Sequence, residues 1–589
     1  MTKLASTRWR WARAIGLAAA LLAAQWVCAA NERRAAGRPN VVLVMTDDQG
    51  YGDLGCHGNP WIRTPNLDRL YRESVRLTDF HVSPLCTPTR AALLTGQNPV
   101  RLGAWGTTWG RSLPRRDAAT VAGVFAASGY RTGCFGKWHL GDNYPFRPQD
   151  RGFGEVLIHG GGGVGQTPDY WDNDYFDDTY FHNGQPEKCR GYCTDVWFDA
   201  AIRFIEANRD RPFFAYVPTN APHGPFHVDE KYSGLYAENP DVPNADFYGM
   251  ITNLDENMGR LVAKLDELGL AEKTILIFTT DNGTAAGFRG GKGFNAGMRG
   301  AKGALYDGGH RVPCFLRWPG GGLTGPRDVD VLAAHVDVLP TLAELCDLEV
   351  PPGAGLDGVS LAPVLLGKSD RVPDRQVFVQ FRQSPDPPEK WKAAVLSERW
   401  RLIGGEELYD IDADPGQKSN VADRHPEVVR RLREAYESWW AEVSPRFDEY
   451  CEIVLGADEE NPARLTGFDW YTTTPWNQRA VRAGVAANGF WAVEIARDGT
   501  YEIALRRWPE EVGAPITAAI PGGKAIAATT ARLKIGDLDL TKPIPENAAA
   551  VTFRVELAAG KTKLQTWLVD DASGESRGAY YVYVERVGE

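Results

Sequence analysis

Three apolar segments, each followed by polar residues, constrain the fold of this 589-residue chain more than any other feature. Asn40–Thr46, Thr274–Thr280 and Pro212–Val217 are short, mainly apolar runs. Such runs are typical of strands that a parallel sheet buries on both faces. Ligand sites in these sheets lie beyond the carboxyl ends of the strands, so the polar residues that follow are predicted to share one crevice. They are Asp47, Asp48, His223, Asp281 and Asn282.

Helical segments lie between these strands, which favours an α/β layered domain. The predicted helices are Thr89–Thr95, Ala118–Ser128, Asp195–Asn208 and Tyr248–Leu268. An alternation of strands and helices indicates a sheet covered by helices, and we expect this domain to carry the crevice.

Beyond about residue 450 the pattern changes to an alternation of apolar and polar residues with Gly, Asp and Asn at turns. Trp491–Ile495 and Tyr501–Leu505, joined across Arg497-Asp-Gly499, show it first. The later segments with this pattern are Val551–Leu557, Leu564–Leu568 and Tyr580–Val587. Alternation of this kind is typical of antiparallel strands with one core face. We therefore predict an antiparallel β-sandwich-like domain over residues 450–589.

The N-terminal segment has the pattern of a secretory signal peptide. Basic residues, a short Ala/Leu run and small residues at a cleavage site follow in order as Lys3, Arg8, Arg10 and Arg13, then Ala14–Ala24, then Cys28-Ala29-Ala30. The run is shorter than the about 20 residues of a bilayer span, although an uncleaved anchor is the alternative. Residues 1–30 are therefore predicted to be cleaved, leaving an exported protein, periplasmic or secreted, that does not associate with a membrane.

Composition narrows the class of protein further. The chain has 76 Asp and Glu residues against 65 Lys and Arg, and this excess of acidic residues argues against a nucleic-acid partner. Nine Cys are too few for a disulfide scaffold, and most are predicted to be small buried side chains. Cys189 and Cys193 are close enough to form a disulfide, which their spacing alone does not establish. An enzyme and a binding protein are the classes left.

The segment Ser83-Pro-Leu-Cys86-Thr-Pro88-Thr-Arg90 is the clearest chemical feature. Cys86 is predicted to start a helix, with Pro88 in its first turn, where proline is tolerated. The reactive group would then lie at a helix N-terminus, which favours anions, with Arg90 one turn further on. A capped helix that contains a chance cysteine is the alternative.

These features together resemble the formylglycine-dependent sulfatases of the alkaline-phosphatase-like superfamily, over residues 39–445. The matching segments are Asp47-Asp48, Cys86-Thr-Pro-Thr-Arg90, Gly136-Lys-Trp-His-Leu-Gly141, Ala221-Pro-His223, Asp281-Asn-Gly283, Ala301-Lys302-Gly303, Leu408–Pro415 and Asn420-Val421. The resemblance implies a mixed α/β sheet sandwiched by helices at 39–370 and a smaller α+β subdomain at 371–445. The β-sandwich-like domain lies outside this common core.

For Cys86 the resemblance implies oxidation to formylglycine by a separate maturation enzyme that recognises C-x-P-x-R. The aldehyde hydrates to a geminal diol, and one hydroxyl, activated on a metal ion, attacks sulfur and displaces the alcohol. The second hydroxyl then loses its proton, and the hemiacetal collapses to expel sulfate and restore the aldehyde. An unmodified thiol could not turn over by this route.

The resemblance also implies a metal site. Its ligands are the formylglycine oxygen at position 86 and the side chains of Asp47, Asp48, Asp281 and Asn282. Oxygen ligands suit a hard cation, and a flexible set of this kind suits one calcium ion better than magnesium. A turn or a helix cap is the alternative for an Asp that follows a strand.

Cationic side chains are implied around the sulfate. Arg90 would orient the diol, Lys137 and His139 would contact the diol and sulfate oxygens, and Lys302 and His223 would bind sulfate near the leaving oxygen. His223 or Lys302 is the candidate general acid, with His223 favoured for its ordinary pKa.

Substrate contacts are predicted from residue type and position. Trp105 and Trp109 have flat rings that suit sugar faces, and His310 could reach the crevice, with a structural role as the alternative. Gly160–Gly165 matches a dinucleotide-binding pattern, but no helix start follows it, so we predict a flexible loop near the substrate. Asp169–Asp178 is predicted to be a solvated loop, with a second calcium site as the alternative.

The sequence thus predicts a sulfuric ester hydrolase that releases inorganic sulfate from a sulfated carbohydrate, with arylsulfatase-type activity on small substrates. A phosphodiesterase or phosphonate monoester hydrolase of the same superfamily is one alternative. A catalytically inactive glycan-binding relative is another, although the intact Cys86, Arg90 and metal ligands argue against it.

Overall fold

The computed structural model describes residues 37–588, so the predicted signal peptide lies outside the described residues. The largest element is a ten-stranded mixed sheet. Its strands lie in the order Arg327–Val329, Val75–Leu77, Cys314–Arg317, Thr274–Thr280, Asn40–Thr46, Phe213–Pro218, Arg131–Lys137, Glu155–His159, Thr179–His182 and Gln185–Lys188. The central strands, from Thr274–Thr280 to Glu155–His159, are parallel, and an antiparallel strand flanks them on each side. The predicted apolar strands therefore form the middle of the sheet.

Helices cover both faces of this sheet because its central strands present apolar side chains in both directions. Val41 and Leu43 lie in one core layer, whereas Val42 and Val44 lie in the other. The first layer contains the helices Cys86–Thr95, Val121–Ala127, Val338–Leu345 and Ala362–Leu365. The second contains Pro65–Glu73, Cys193–Ala207, Glu230–Ser233 and Ala245–Glu267. The predicted fold class and the four predicted helices are confirmed, each helix starting within one turn of its predicted first residue.

A smaller α+β unit follows the large sheet. Its four antiparallel strands are Val377–Gln380, Ala393–Leu396, Trp400–Ile403 and Glu407–Asp410. The helix Pro426–Val443 packs on this sheet, and its Leu432 and Tyr436 share a core with Val395 and Leu402. The fold class predicted for this part of the chain is therefore confirmed.

The C-terminal part forms two facing sheets around one core, which are antiparallel except that Ile453–Leu455 pairs in parallel with Phe490–Ile495. One sheet contains Ile453–Leu455, Phe490–Ile495, Gly560–Val569, Thr530–Ile535 and Leu538–Pro543, with Ser576–Arg577 paired at its side. The other contains Ala463–Thr466, Tyr581–Arg586, Gly499–Arg506 and Val551–Leu557. The segments around Trp491 and Tyr501 were expected to be joined as neighbouring strands, and this expectation is wrong because they lie in different sheets. Both have an apolar face, and placing one in each sheet lets both faces close the same core.

Two further observations concern cysteines and membranes. The eight cysteines within residues 37–588 are all free, including Cys189 and Cys193, and most of them are buried as predicted. Within the same range, no helix has both the length and the apolar content that crossing a bilayer requires.

Candidate active site

Asn40–Thr46 and Thr274–Thr280 are neighbouring strands of the large sheet, and their ends bring four polar residues together. The last residues of these parallel strands are register partners, so the residues that follow each strand lie side by side. The backbone N–H of Asp48 donates to Oδ1 of Asp281 at 3.0 Å, and Nδ2 of Asn282 donates to Oδ1 of Asp48 at 2.9 Å. With Asp47, these side chains are all buried. The sequence-predicted crevice therefore contains all four residues that follow the two strands.

Cys86 starts its helix and faces these carboxylates. The helix Cys86–Thr95 begins at this residue without a side-chain cap, and all of it is buried. Sγ of Cys86 and carboxylate oxygens of Asp47 and Asp281 lie within 4.8 Å of one another. Burial raises the pKa of the Cys86 thiol. As a thiol the residue is therefore protonated at neutral pH and a poor nucleophile.

Two cations, Arg90 and Lys137, compensate these carboxylates from inside the protein. Arg90 donates to Oδ2 of Asp281 at 2.8 Å and to the carbonyl oxygen of Lys137 at 3.1 Å. Nζ of Lys137 lies 2.5 Å from Oδ2 of Asp47. Both cations are fully buried, so their partners fix them firmly in place. The arrangement presents fixed positive charge beside the Cys86 sulfur.

Lys302 and His223 flank the remaining carboxylate, that of Asp48. Nζ of Lys302 lies 2.5 Å from Oδ1 of Asp48, and Nε2 of His223 lies 3.9 Å from its Oδ2. Burial alone raises the pKa of Asp48, but the charge of Lys302 and the hydrogen bonds from Lys302 and Asn282 outweigh it, and the net shift is downward. Burial lowers the pKa of His223 to about 3. Nδ1 of His223 donates to the carbonyl oxygen of Gly224 at 2.6 Å, which leaves Nε2 facing the crevice.

Two buried oxygen atoms in this cluster have no hydrogen-bond donor, Oδ1 of Asp47 and Oδ1 of Asn282. Such an unsatisfied group costs free energy unless another partner is present. Burial and the nearby charge of Asp47 raise the pKa of Asp281 to about 7, which is the signature of carboxylates crowded together. Side-chain oxygens crowded around one point, with two unpaired, fit a hard cation such as calcium.

His139 lies where a glycine-rich loop crosses the crevice. Its Nε2 donates to the carbonyl oxygen of Thr107 at 2.8 Å, and its Nδ1 is buried without a partner. A Cβ added at Gly162 would lie 2.2 Å from the His139 ring, and one added at Gly163 would lie 3.5 Å from the His223 ring. The Gly160–Gly165 loop therefore lies against two of the predicted site residues, and glycine is needed at Gly162 for the close approach. The loop was predicted to be flexible, but side chains accept hydrogen bonds from four of its backbone N–H groups and fix it.

The acidic segment Asp169–Asp178 is only in part the predicted solvated loop, because Asp172, Asp174 and Asp177 are exposed but Asp169 and Asp178 are buried. Asp169 is fully buried and accepts from the backbone N–H groups of Gly160 at 3.1 Å and Gly165 at 2.9 Å. Asp178 is also buried and accepts from two backbone N–H groups at 2.9 Å. The Asp169 carboxylate therefore holds the glycine-rich loop, whereas the Asp178 carboxylate holds a turn in its own segment.

Two of the predicted substrate contacts need correction. Trp105 is fully buried, with the Arg111 guanidinium 4.3 Å above its ring, so it cannot meet a substrate. His310 is fully buried as well, and its Nδ1 lies 2.9 Å from Nδ1 of His81 in a polar network that includes Arg401. This burial supports the structural role that was the alternative for His310.

Trp109 is half-buried, in the segment that contributes the Thr107 carbonyl oxygen to His139. Its backbone N–H donates to the carbonyl oxygen of Phe468 at 3.2 Å. The Phe468 ring lies 6.2 Å from the His139 ring. The C-terminal domain thus reaches the crevice through a residue that sequence reasoning missed, because no local pattern connects positions so far apart in the chain.

Comparisons with known proteins agree with this geometry. Residues 39–348 match the family model described as Sulfatase, and residues 301–440 match one described as N-sulphoglucosamine sulphohydrolase, C-terminal. The chain is similar to arylsulfatase A of Homo sapiens, with 34% identity over 459 residues that cover 67% of this chain and 86% of the relative. It is also similar to N-acetylgalactosamine-6-O-sulfatase of Bacteroides thetaiotaomicron, with 30% identity over 68% of this chain and 93% of the relative.

A solved structure is also similar to this chain. The protein described as Ps i-CgsB, in complex with k-i-k-neocarrahexaose, aligns with a TM-score of 0.63 and 25% identity, covering 70% of this chain and 95% of its own. The two family-model matches end at residues 348 and 440, so both stop ahead of the C-terminal β-domain.

Proposed function

Since this chain belongs to the sulfatase family of the alkaline-phosphatase-like superfamily and is an enzyme that hydrolyses sulfate esters, we propose that its natural substrate is a sulfated carbohydrate. We further propose that the nucleophile is a formylglycine made from Cys86 and that the ion is calcium. The observation that carries the proposal is the buried cluster of Asp47, Cys86 and Asp281, enclosed by fixed cations.

Asp47, Asp48, Asp281 and Asn282 would hold the calcium ion, because two of their oxygens lack any other partner. Bound calcium supplies positive charge that favours the ionised nucleophile, and the formylglycine diol supplies one hydroxyl to attack sulfur and another to expel sulfate. Arg90, held between the Asp281 carboxylate and a backbone carbonyl, keeps a positive charge beside position 86.

Four side chains are proposed to bind the sulfuryl group. Lys137, His139, Lys302 and His223 line the crevice around position 86 and counter the charge that builds up on the transferring group. Lys302 and His223 stand on the Asp48 side, and Lys302 gives the departing alkoxide its proton, because His223 holds its proton on the Nδ1 atom that donates to the Gly224 carbonyl oxygen. Cys86 is buried, with 3% of the residue exposed, and this position keeps bulk water away from the sulfur atom of the sulfate ester while the sulfuryl group is transferred.

A sulfated carbohydrate is supported by two of the similar proteins and by the predicted export. One relative is named for N-acetylgalactosamine 6-O-sulfate, and the similar structure holds a neocarrahexaose. An exported enzyme, periplasmic or secreted, would meet sulfated polysaccharides outside the cytoplasm, and removal of residues 1–30 is part of this proposal.

The test is sulfate release by protein co-expressed with a formylglycine-generating enzyme. The panel contains 4-nitrophenyl sulfate, sulfated mono- and disaccharides, 4-nitrophenyl phosphate and a phosphonate monoester. We expect sulfate release from the aryl sulfate and from at least one saccharide. Protein made without the maturation enzyme serves as the control, because its Cys86 thiol cannot turn over. Phosphonate or phosphate turnover without sulfate release would overturn the proposal.

A second prediction concerns the glycine-rich loop. Gly162→Ala would place a methyl group 2.2 Å from the His139 ring. Displacing a catalytic group by about 1 Å costs up to about 100-fold in rate, so we expect kcat on 4-nitrophenyl sulfate to fall by about tenfold or more. The melting temperature should fall as well, because the methyl group overpacks a buried ring at a cost of about 1–3 kcal/mol, although the backbone of Gly162 is not in the left-handed region.

Gly154→Ala is the matched control for this loop variant. Gly154 is exposed, its nearest neighbour would lie 3.7 Å from the new Cβ, and its φ is likewise not left-handed. Equal kcat values for Gly162→Ala and Gly154→Ala would contradict the placement of His139 in the reaction.

A further inference from the structure

A short segment of the C-terminal domain is fastened to the glycine-rich loop. The backbone N–H of Gln478 donates to the carbonyl oxygen of Gly165 at 3.1 Å, and that of Thr167 donates to the carbonyl oxygen of Trp476 at 3.2 Å. Nε2 of the buried Gln478 side chain also donates to the carbonyl oxygen of Tyr170 at 3.0 Å. Backbone and side-chain bonds therefore fix the position of this segment against the loop.

The other side of the same loop forms a wall of the active site. Gly162 approaches the His139 ring and Gly163 approaches the His223 ring. The side chain of Gln166 spans the turn, because its Oε1 accepts from the backbone N–H of Gly162 at 2.8 Å. Trp476 is thus bonded through its backbone to the loop whose Gly162 and Gly163 approach the two catalytic histidines.

Trp476 is exposed although its backbone is held in place. Four large hydrophobic side chains are exposed among residues 37–588, and Trp476, at 50%, is the most exposed of them. Its neighbours Pro475 and Gln478 are buried. A flat, rigid indole on a fixed backbone offers the kind of surface that stacks on the apolar face of a pyranose ring at low entropic cost.

Arg479 adds a positive charge to the same segment of the chain. It is exposed, lies three residues after Trp476, and forms no ion pair with any residue between 37 and 588. The chain carries 11 more acids than bases, so an exposed arginine without an acidic partner is available to bind an anion. A guanidinium binds the paired oxygens of a sulfate or carboxylate group well.

We propose that Trp476 and Arg479 form a second sugar-binding subsite, which takes the residue next to the sulfated sugar in an oligosaccharide substrate. The indole stacks on the neighbouring ring, and the guanidinium binds a sulfate or carboxylate on it. The inference rests on the proposed sulfated-carbohydrate substrate. It makes the C-terminal domain a part of the substrate cleft, and it predicts that chain length matters for binding.

Binding is measured first, by calorimetry with the full chain produced without the maturation enzyme, so that no substrate is consumed. The probes are sulfated tetrasaccharides from chondroitin sulfate and from carrageenan, with the corresponding disaccharides. For the wild-type protein, we expect the Kd of at least one tetrasaccharide to be about tenfold or more below the Kd of the corresponding disaccharide. Trp476→Ala and Arg479→Ala should each remove most of that difference, and Trp476→Phe should keep part of it.

Val587→Ala is the matched control, because Val587 is another exposed apolar residue of the same domain, at 38%. It should leave the length dependence unchanged. The subsite is overturned if the wild type shows no length dependence, or if Trp476→Ala weakens disaccharides and tetrasaccharides equally. Turnover of 4-nitrophenyl sulfate by matured wild type is recorded separately, since its absence would contradict the proposed function and leave the binding result standing.

Discussion

Replacing Cys86 by serine is expected to abolish steady-state sulfate release while leaving a single transfer possible. The serine hydroxyl would occupy the position of the attacking oxygen, beside the cations Arg90 and Lys137. It can accept one sulfuryl group from the substrate as the alcohol leaves with a proton, forming a serine sulfate ester. Serine has no second hydroxyl on its Cβ, so no carbon–oxygen cleavage can release the sulfate.

The expected result is a loss of steady-state turnover on the order of 10⁴-fold or more, together with a stable mass increase of about 80 Da on the peptide that contains residue 86. Cys86→Ala, which has no nucleophile, should lose turnover and show no added mass. The measurement is intact-peptide mass spectrometry after incubation with 4-nitrophenyl sulfate. Turnover by the serine variant within about tenfold of wild type would mean that water can attack the sulfate ester, and the proposed diol mechanism would then be wrong.

The sheet was predictable because its signal is local. A run such as Asn40–Thr46 is apolar at every inner position, and only a strand covered on both faces needs that composition. The pairing of the C-terminal strands was harder to predict from the sequence. Phe490–Ile495 and Gly499–Arg506 look like hairpin partners, yet each pairs with a strand more than fifty residues further along the chain. Which sheet an amphipathic strand joins depends on how the whole core closes.

The clustering of the proposed site residues was predictable for a different reason. Asp47 and Asp281 follow strands that pair in register, so the fold alone brings them together once the sheet is known. The substrate contacts failed where burial decided the outcome. Trp105 looks like a sugar platform by residue type, and only the packing of Arg111 over its ring shows that it belongs to the core.

Two residues that contact the glycine-rich loop, Asp169 and Gln478, could not be placed from the sequence either. Asp169 looked solvated because charged residues are usually exposed, but backbone N–H groups of the glycine-rich loop satisfy it in the interior. Gln478 could not be found at all from sequence, since its partners in the loop lie about three hundred positions earlier. Contacts between distant segments are where a single sequence says least.

Asp281→Asn is expected to remove stabilisation of the protein by calcium. Asp281 lies in the cluster with Asp47 and Cys86, and burial there raises its pKa to about 7. Bound calcium offsets the repulsion between these carboxylates and stabilises the folded state by about 2.7 kcal/mol at a concentration one hundred times Kd. The amide removes one charge and one strong ligand, so calcium affinity should fall steeply. Sulfate release should then fall by about 1,000-fold at a fixed calcium concentration.

The measurement is the melting temperature in EGTA and in calcium, compared as a difference within each variant. This difference cancels the destabilisation caused when Arg90 loses its partner at 2.8 Å. Wild type should show a rise with calcium and a smaller rise with equal magnesium, because an irregular carboxylate and amide set suits the larger ion. Asp210→Asn, at a side chain that is 90% exposed, is the control and should keep the wild-type shift. An equal calcium shift in Asp281→Asn would place the ion elsewhere, and no shift in wild type would remove calcium from the proposal.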